Sequence, residues 1–190
     1  MSAIGIEDWI RISAVVIFTL TAAIIDFRTK KIPNWLTVPA CLCAVLFHVT
    51  SGIVDNGIWG GIGHFLDSLG GFATGFGILF VLWLIGGGGA GDVKLMGAVG
   101  AWLGAKFTLL VFLFSTCFAI LGTVIVVCFS VMENGISSVR KQFARRPNVN
   151  LRDEQRRVEI STKRRIMTYA LPVALGTWLV LAWQVMGHNR

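Results

Sequence analysis

The sequence predicts an all-α, polytopic integral membrane protein, and three observations carry that prediction. Hydrophobic residues make up 55% of the 190 positions and charged ones only 14%, with a mean hydropathy of +0.73, a balance that a soluble domain of this length struggles to keep in solution. Apolar runs of about 17–25 residues, the length that crosses roughly 30 Å of hydrocarbon as a helix, recur along the chain. Basic residues gather in a few segments between those runs, which is how a membrane topology is written.

The first span covers residues 9–25 and tolerates Arg11 near its end, where a long side chain can snorkel to the interface. No secretory signal is expected, because Glu7 and Asp8 precede the run where a signal would be basic and no small-residue cleavage site follows. Asp26 closes the span. Arg28, Lys30, Lys31 and Pro33 then read as a tight basic turn, since Pro33 biases Ile32 away from helix and suits the first turn of the next one.

The second span covers residues 35–50, with Pro39 as an early kink. Residues 51–65 are Gly-rich and free of Lys and Arg, and are expected to lie along the membrane interface. The third span, 66–85, carries Gly71 and Gly75 at GxxxG spacing. Gly100 and Gly104 repeat that spacing further on, so close helix contact is expected there. A short run at 93–105 ends at Lys106, a long one follows at 107–131, and the last span is 166–186.

Charge decides whether the short run crosses. If it does, Arg28, Lys30, Lys31, Lys94 and the ten Lys and Arg residues of the loop at 133–165 all share one side. If it does not, that loop falls opposite the first turn. The positive-inside rule selects the crossing, giving six spans with both termini outside the cytoplasm. Residues 1–190 then form a single membrane domain with a basic cytoplasmic loop at 133–165. That loop holds most of the net charge of +7 and is read as a topology signal and an anionic-lipid contact, with no nucleic-acid partner. Cys41, Cys43, Cys117 and Cys128 lie within apolar runs and form no Cys-x-x-Cys pair, so neither a metal site nor a disulfide framework is indicated. His48, His64 and His188 are scattered and read as surface or packing residues. No cofactor fingerprint is present.

Two acids remain to be explained. Asp92 lies in residues 86–96, GGGGAGDVKLM, an apolar and glycine-rich setting where an ionisable residue needs a reason. In the six-span topology Asp26 ends the first span and Asp92 opens the fourth, on the same cytoplasmic side. Taken alone, Asp26 reads as an interfacial anchor and Asp92 as a helix N-cap. Neither reading accounts for both at one membrane depth. Two carboxylates brought together cannot both ionise cheaply, so one keeps a proton while the other activates water, which is aspartyl proteolysis. Gly89 and Gly91 beside Asp92 would let an extended substrate backbone approach, and Lys94 stands as a supporting charge. The rival readings are a small transporter or channel that uses the acids for cations or protons, and a non-catalytic scaffold of a secretion machine.

Asp26 with Lys30, Lys31, Ile32, Pro33 and Asn34 resembles the first acidic motif of the type IV prepilin peptidases. Gly89-Ala90-Gly91-Asp92-Val93-Lys94-Leu95 is similar to their Gly-x-Gly-Asp motif, and residues 169–176, YALPVALG, resemble the Pro-containing motif of their last span. The resemblance implies a membrane-embedded aspartyl endopeptidase of the bacterial inner membrane, with Asp26 and Asp92 as the catalytic pair facing the cytoplasm. Its substrates would be prepilins or pseudopilins. The larger bifunctional members carry an insertion with paired Cys-x-x-Cys motifs and methylate the new N-terminus. This chain more nearly resembles the short, peptidase-only members of Flp (Tad) pilus systems.

Overall fold

The computed structural model describes residues 5–86, 89–144 and 169–188. Within them lie four helices, α1 (Ile6–Thr29), α2 (Asn34–Leu84), α3 (Ala90–Ala144) and α4 (Ala170–His188), each containing a stretch long and apolar enough to cross a membrane. The chain divides into two units, Met1–Thr116 with Thr168–Arg190 and Cys117–Met167, and the site lies in the first. In the second, α3 runs on to Ala144, so the first third of the basic loop expected at 133–165 is helix. The rest of that loop lies outside the described residues. Ile120, Leu121, Val124, Ile125 and Val126 of this unit are exposed, an apolar surface suited to lipid.

Four helices stand where six spans were expected, and the difference arises at two turns. α2 continues through Asn56 and Gly57, whose backbone angles are not helical. Gly57, with φ 65° and ψ −154°, occupies a region essentially reserved for glycine. There the helix doubles back. The rings of His48 and His64 are 6.3 Å apart, whereas sixteen residues of straight helix would separate them by about 24 Å. Residues 51–65, expected to lie along the interface, instead form the closed end of a helical hairpin, in which the Gly52 and Gly60 backbones touch. α3 does the same at Gly104, where φ is 75°. Met96 and Thr108 both flank Gly75, although a straight helix would set them about 18 Å apart. The break falls at Gly104 and not at Lys106, because a positive φ calls for glycine while a lysine only marks an interface.

The first arm of α3, residues 90–103, is the centre of this unit. Val93, Leu95, Met96, Ala98, Val99, Ala101, Trp102 and Leu103 are all buried, so from Leu95 onward every face of the arm is covered by protein. It runs antiparallel to the second arm of α2, with Gly71 against the Gly100 carbonyl and Gly75 against that of Met96. α1 buries the stripe Val15, Phe18, Thr19, Ala22 and Asp26, spaced for one helical face, and packs on α4 and α2. Trp178 donates its indole N–H to Thr19 Oγ1 at 3.1 Å.

A break inside a membrane protein frees backbone carbonyls that no water satisfies. Here side chains take them. Ser68 Oγ donates to the Ala101 carbonyl at 2.8 Å, His48 Nε2 to that of Trp102 at 3.1 Å, and Thr108 Oγ1 to that of Gly104 at 2.6 Å. Trp102 in turn donates its indole N–H to the Ala40 carbonyl at 3.0 Å. His48, unremarkable in the sequence, is thus a cap for the break.

Because a Cβ at Gly71 would meet the Gly100 backbone, Gly71→Ala should destabilise the protein by about 1–3 kcal/mol. Gly77→Ala, where an added Cβ meets nothing within 4 Å, should be neutral or stabilising by up to about 1 kcal/mol. Reversible unfolding in mixed micelles reads both.

Candidate active site

Two helix ends bring the acids together. Asp26 lies one turn before the end of α1, where Lys30 in the left-handed conformation (φ 51°) returns its N–H to the Asp26 carbonyl at 2.8 Å. Its side chain is buried, 4% exposed, against the start of α4. There the Ala170 backbone N–H donates to Asp26 Oδ2 at 3.3 Å. The first N–H groups of a helix have no partner within the helix and favour an anion. α4 therefore supplies a donor to a carboxylate that would otherwise be buried in apolar surroundings.

Asp92 sits in the first turn of α3 and is half-buried. Its backbone N–H donates to the Gly89 carbonyl at 3.0 Å, and the Gly89 N–H donates back to Asp92 Oδ2 at 3.2 Å. This reciprocal pair is the backward-reaching half of a capping box, with the acid three residues inside the helix and not at its N-cap. The antiparallel register of Gly71 with Gly100 and Gly75 with Met96 puts Asp92 level with position 79 of α2. That is roughly 8 Å short of the end of α2 at Leu84. Asp92 is thus recessed below its neighbour's end. Asp26 lies near enough to interact with it electrostatically.

The residues expected to support Asp92 take distinct places. A Cβ on Gly89 would stand 2.9 Å from Asp92 Oδ2, so this glycine leaves room for the carboxylate itself. Gly91 faces the turn between α1 and α2, where a Cβ would meet Ile32 at 3.4 Å. Lys94 is exposed and forms no ion pair with Asp92 among the described residues. Its Nζ donates instead to Asn34 Oδ1 at 2.8 Å. The two acidic motifs therefore dock directly, Ile32 on Gly91 and Asn34 on Lys94. Asn34 and the Ala170 N–H are the site groups that sequence reasoning did not single out. Asn34 was visible only as part of a motif, and a backbone donor carries no side-chain signature.

Among the described residues no group of three or more His, Cys, Asp or Glu side chains is placed to hold a metal ion. What the arrangement offers is two carboxylates, each with a backbone N–H donor, at one end of a buried helical arm.

Fold and site together define a polytopic helical membrane protein that gathers an acid pair at the ends of separate helices. The chain matches the type IV leader peptidase family over residues 13–126, a stretch that includes both acids, and it belongs to that family. It is also 36% identical over 94 residues to the prepilin leader peptidase/N-methyltransferase of Escherichia coli (strain K12). That match covers 46% of this chain and 38% of the relative's length. No solved structure matches the chain.

The Asn34–Lys94 bond links helices 60 positions apart in sequence. A double-mutant cycle of Asn34→Ala and Lys94→Met, read by unfolding in micelles, should return a coupling of about 0.5 kcal/mol, modest because the pair is exposed.

Proposed function

We propose that this chain is a membrane-embedded aspartyl endopeptidase that removes the leader from prepilins or pseudopilins. Asp26 and Asp92 would be its catalytic pair, at the cytoplasmic face of a bacterial inner membrane. The observation that carries this reading is the docking of the two acidic motifs, Ile32 on Gly91 and Asn34 on Lys94, which sets the helix ends bearing Asp26 and Asp92 side by side. Family membership supplies the substrate class.

In the proposed reaction one carboxylate takes a proton from water as the water oxygen attacks the scissile carbonyl carbon. The other donates a proton to the carbonyl oxygen. Collapse of the tetrahedral diol breaks the C–N bond, and a proton passes to the leaving amine. The Ala170 and Gly89 N–H groups hold the two carboxylates in place, and both donors belong to the backbone, so their positions are set by the fold. Gly89 leaves room for the Asp92 carboxylate, and Gly91 lets the turn that follows Asp26 pack close beside it. Lys94 acts through Asn34 as a positioning residue. The acids lie at helix ends and not midway along helices, which favours hydrolysis with water access over an ion path. The proposal covers cleavage alone, since two carboxylates serve hydrolysis and the sequence contains no Cys-x-x-Cys pair. The short peptidase-only members of Flp (Tad) systems are the proposed counterparts.

Purified protein and a prepilin-like peptide with a short basic leader, a Gly and an apolar helix test this. Asp26→Asn and Asp92→Asn should each lower cleavage by about 10²–10⁴-fold while the protein still inserts. Gly89→Ala should insert and fold but cleave more slowly, since its Cβ displaces only the Asp92 carboxylate. Full activity in either Asp variant would sink the aspartyl reading.

Orientation has its own measurement. A cysteine introduced as Lys31→Cys should react with a membrane-impermeant maleimide in inside-out vesicles and not in intact spheroplasts. Labelling from the outside would separate the acids from a cytoplasmic leader.

A further inference from the structure

At the end of the helices opposite the acids lies a cavity of about 560 Å³, within the range of small-ligand sites. Its polar wall is built by Glu7, Asp8 and Arg11 from the start of α1, His48 and Asp55 from the first arm of α2, and His64 from the second. The cleavage reaction uses none of them. Glu7 and Asp26 are nineteen residues apart on one continuous helix, about 28 Å, close to the thickness of the hydrocarbon layer. With the acids at one membrane interface, the cavity sits at the other. Trp9, next in sequence to the lining residue Asp8, and Trp59, four positions after Asp55, are 53% and 83% exposed, as interfacial tryptophans are.

The chemistry of the wall is mixed in sign. Arg11 is paired with Asp8 at 2.8 Å, and its buried Nε has no partner among the described residues. Glu7 and Asp55 form no ion pair among the described residues. His48, 7% exposed, bonds the Trp102 carbonyl through Nε2. A carbonyl can only accept, so Nε2 carries the proton and Nδ1 is left as an acceptor. The wall thus offers one guanidinium with an unused donor, two unpaired carboxylates and an imidazole acceptor. Phe47 adds an apolar side.

We propose that this cavity binds the headgroup of a phospholipid bearing a primary ammonium, of the phosphoethanolamine class. The ammonium has three N–H donors to match the Glu7 and Asp55 carboxylates and His48 Nδ1, and the phosphate meets Arg11. A choline headgroup has no N–H to give. A glycerol headgroup brings negative charge without a cation into a wall that holds three carboxylates against one guanidinium.

Native mass spectrometry of the full chain, released from nanodiscs of equal parts ethanolamine, choline and glycerol phospholipids with matched acyl chains, tests the assignment. The ethanolamine lipid should be retained about fivefold or more over the choline lipid. That excess should vanish in the Glu7→Gln/Asp55→Asn double variant, and shrink in Asp55→Asn alone. Equal retention of the three lipids by the unaltered protein overturns the proposal, as does an unchanged preference in a folded double variant. Glycerophosphoethanolamine in solution separates the sources. Its failure to displace the lipid supports a membrane-borne ligand, and displacement at micromolar concentration reassigns the cavity to a soluble one.

Discussion

The contact on which the rest of the structure depends is backbone against backbone, Gly71 on Gly100 and Gly75 on Met96. In a membrane the lipid tails are as apolar as any side chain, so helices gain little by hiding hydrophobic surface and gain most by close van der Waals approach. Only glycine permits that approach here. It draws the second arm of α2 onto residues 90–103 and fixes their register. Register in turn fixes depth, and Asp92 is held below the end of α2 by contacts made four and eight residues further along its own arm.

A short central arm has consequences for polar groups. Fourteen residues of helix span about 21 Å, less than the hydrocarbon layer, and the arm is tolerable only because protein encloses it on every side from Leu95 onward. Its last carbonyls would be stranded, and Ser68 and His48 reach across from α2 to take them. The Asp67 carboxylate lies against Gly104, where a Cβ would stand 2.7 Å from Oδ2. Glycine is thus required there twice, for its φ and for its lack of a side chain. The same helix-end chemistry recurs at the other end of the arm, where Gly89 and Ala170 each give an N–H to an acid.

Much of this was legible in the sequence, and what was not has physical reasons. Helix content and the membrane class followed from apolar runs, because length and hydropathy are local properties. The acids could be placed on one side by charge counting, since topology obeys the Lys and Arg of short loops. The two turns were harder. Residues 51–65 contain glycines that serve contacts between positions eight apart on a folded hairpin, and a linear pattern shows composition but not pairing. Lys106 marked the second break two residues late, because the signal for an interface and the signal for a positive φ are carried by different residues. Asp92 did prove to be a helix-capping residue in its hydrogen bonding, yet that role and electrostatic contact with Asp26 coexist in one carboxylate. Capping and nearness to a second acid are compatible in one side chain.

That coexistence bears on how an acid pair can be kept in a membrane at all. A carboxylate in hydrocarbon is expensive, and two are worse, unless each is given donors that do not bring water through the bilayer. Backbone N–H groups at helix starts are such donors: they are already unpaired, they are fixed by the fold, and they add no side chain. Asp26 takes one from α4 and Asp92 one from the loop before α3. Each acid is therefore tied to a different chain crossing, so the pair assembles only when α1, α3 and α4 have packed. A site built in this way depends on the glycine contacts that set the depth of the central arm, and an unassembled chain carries two separate acids and no pair.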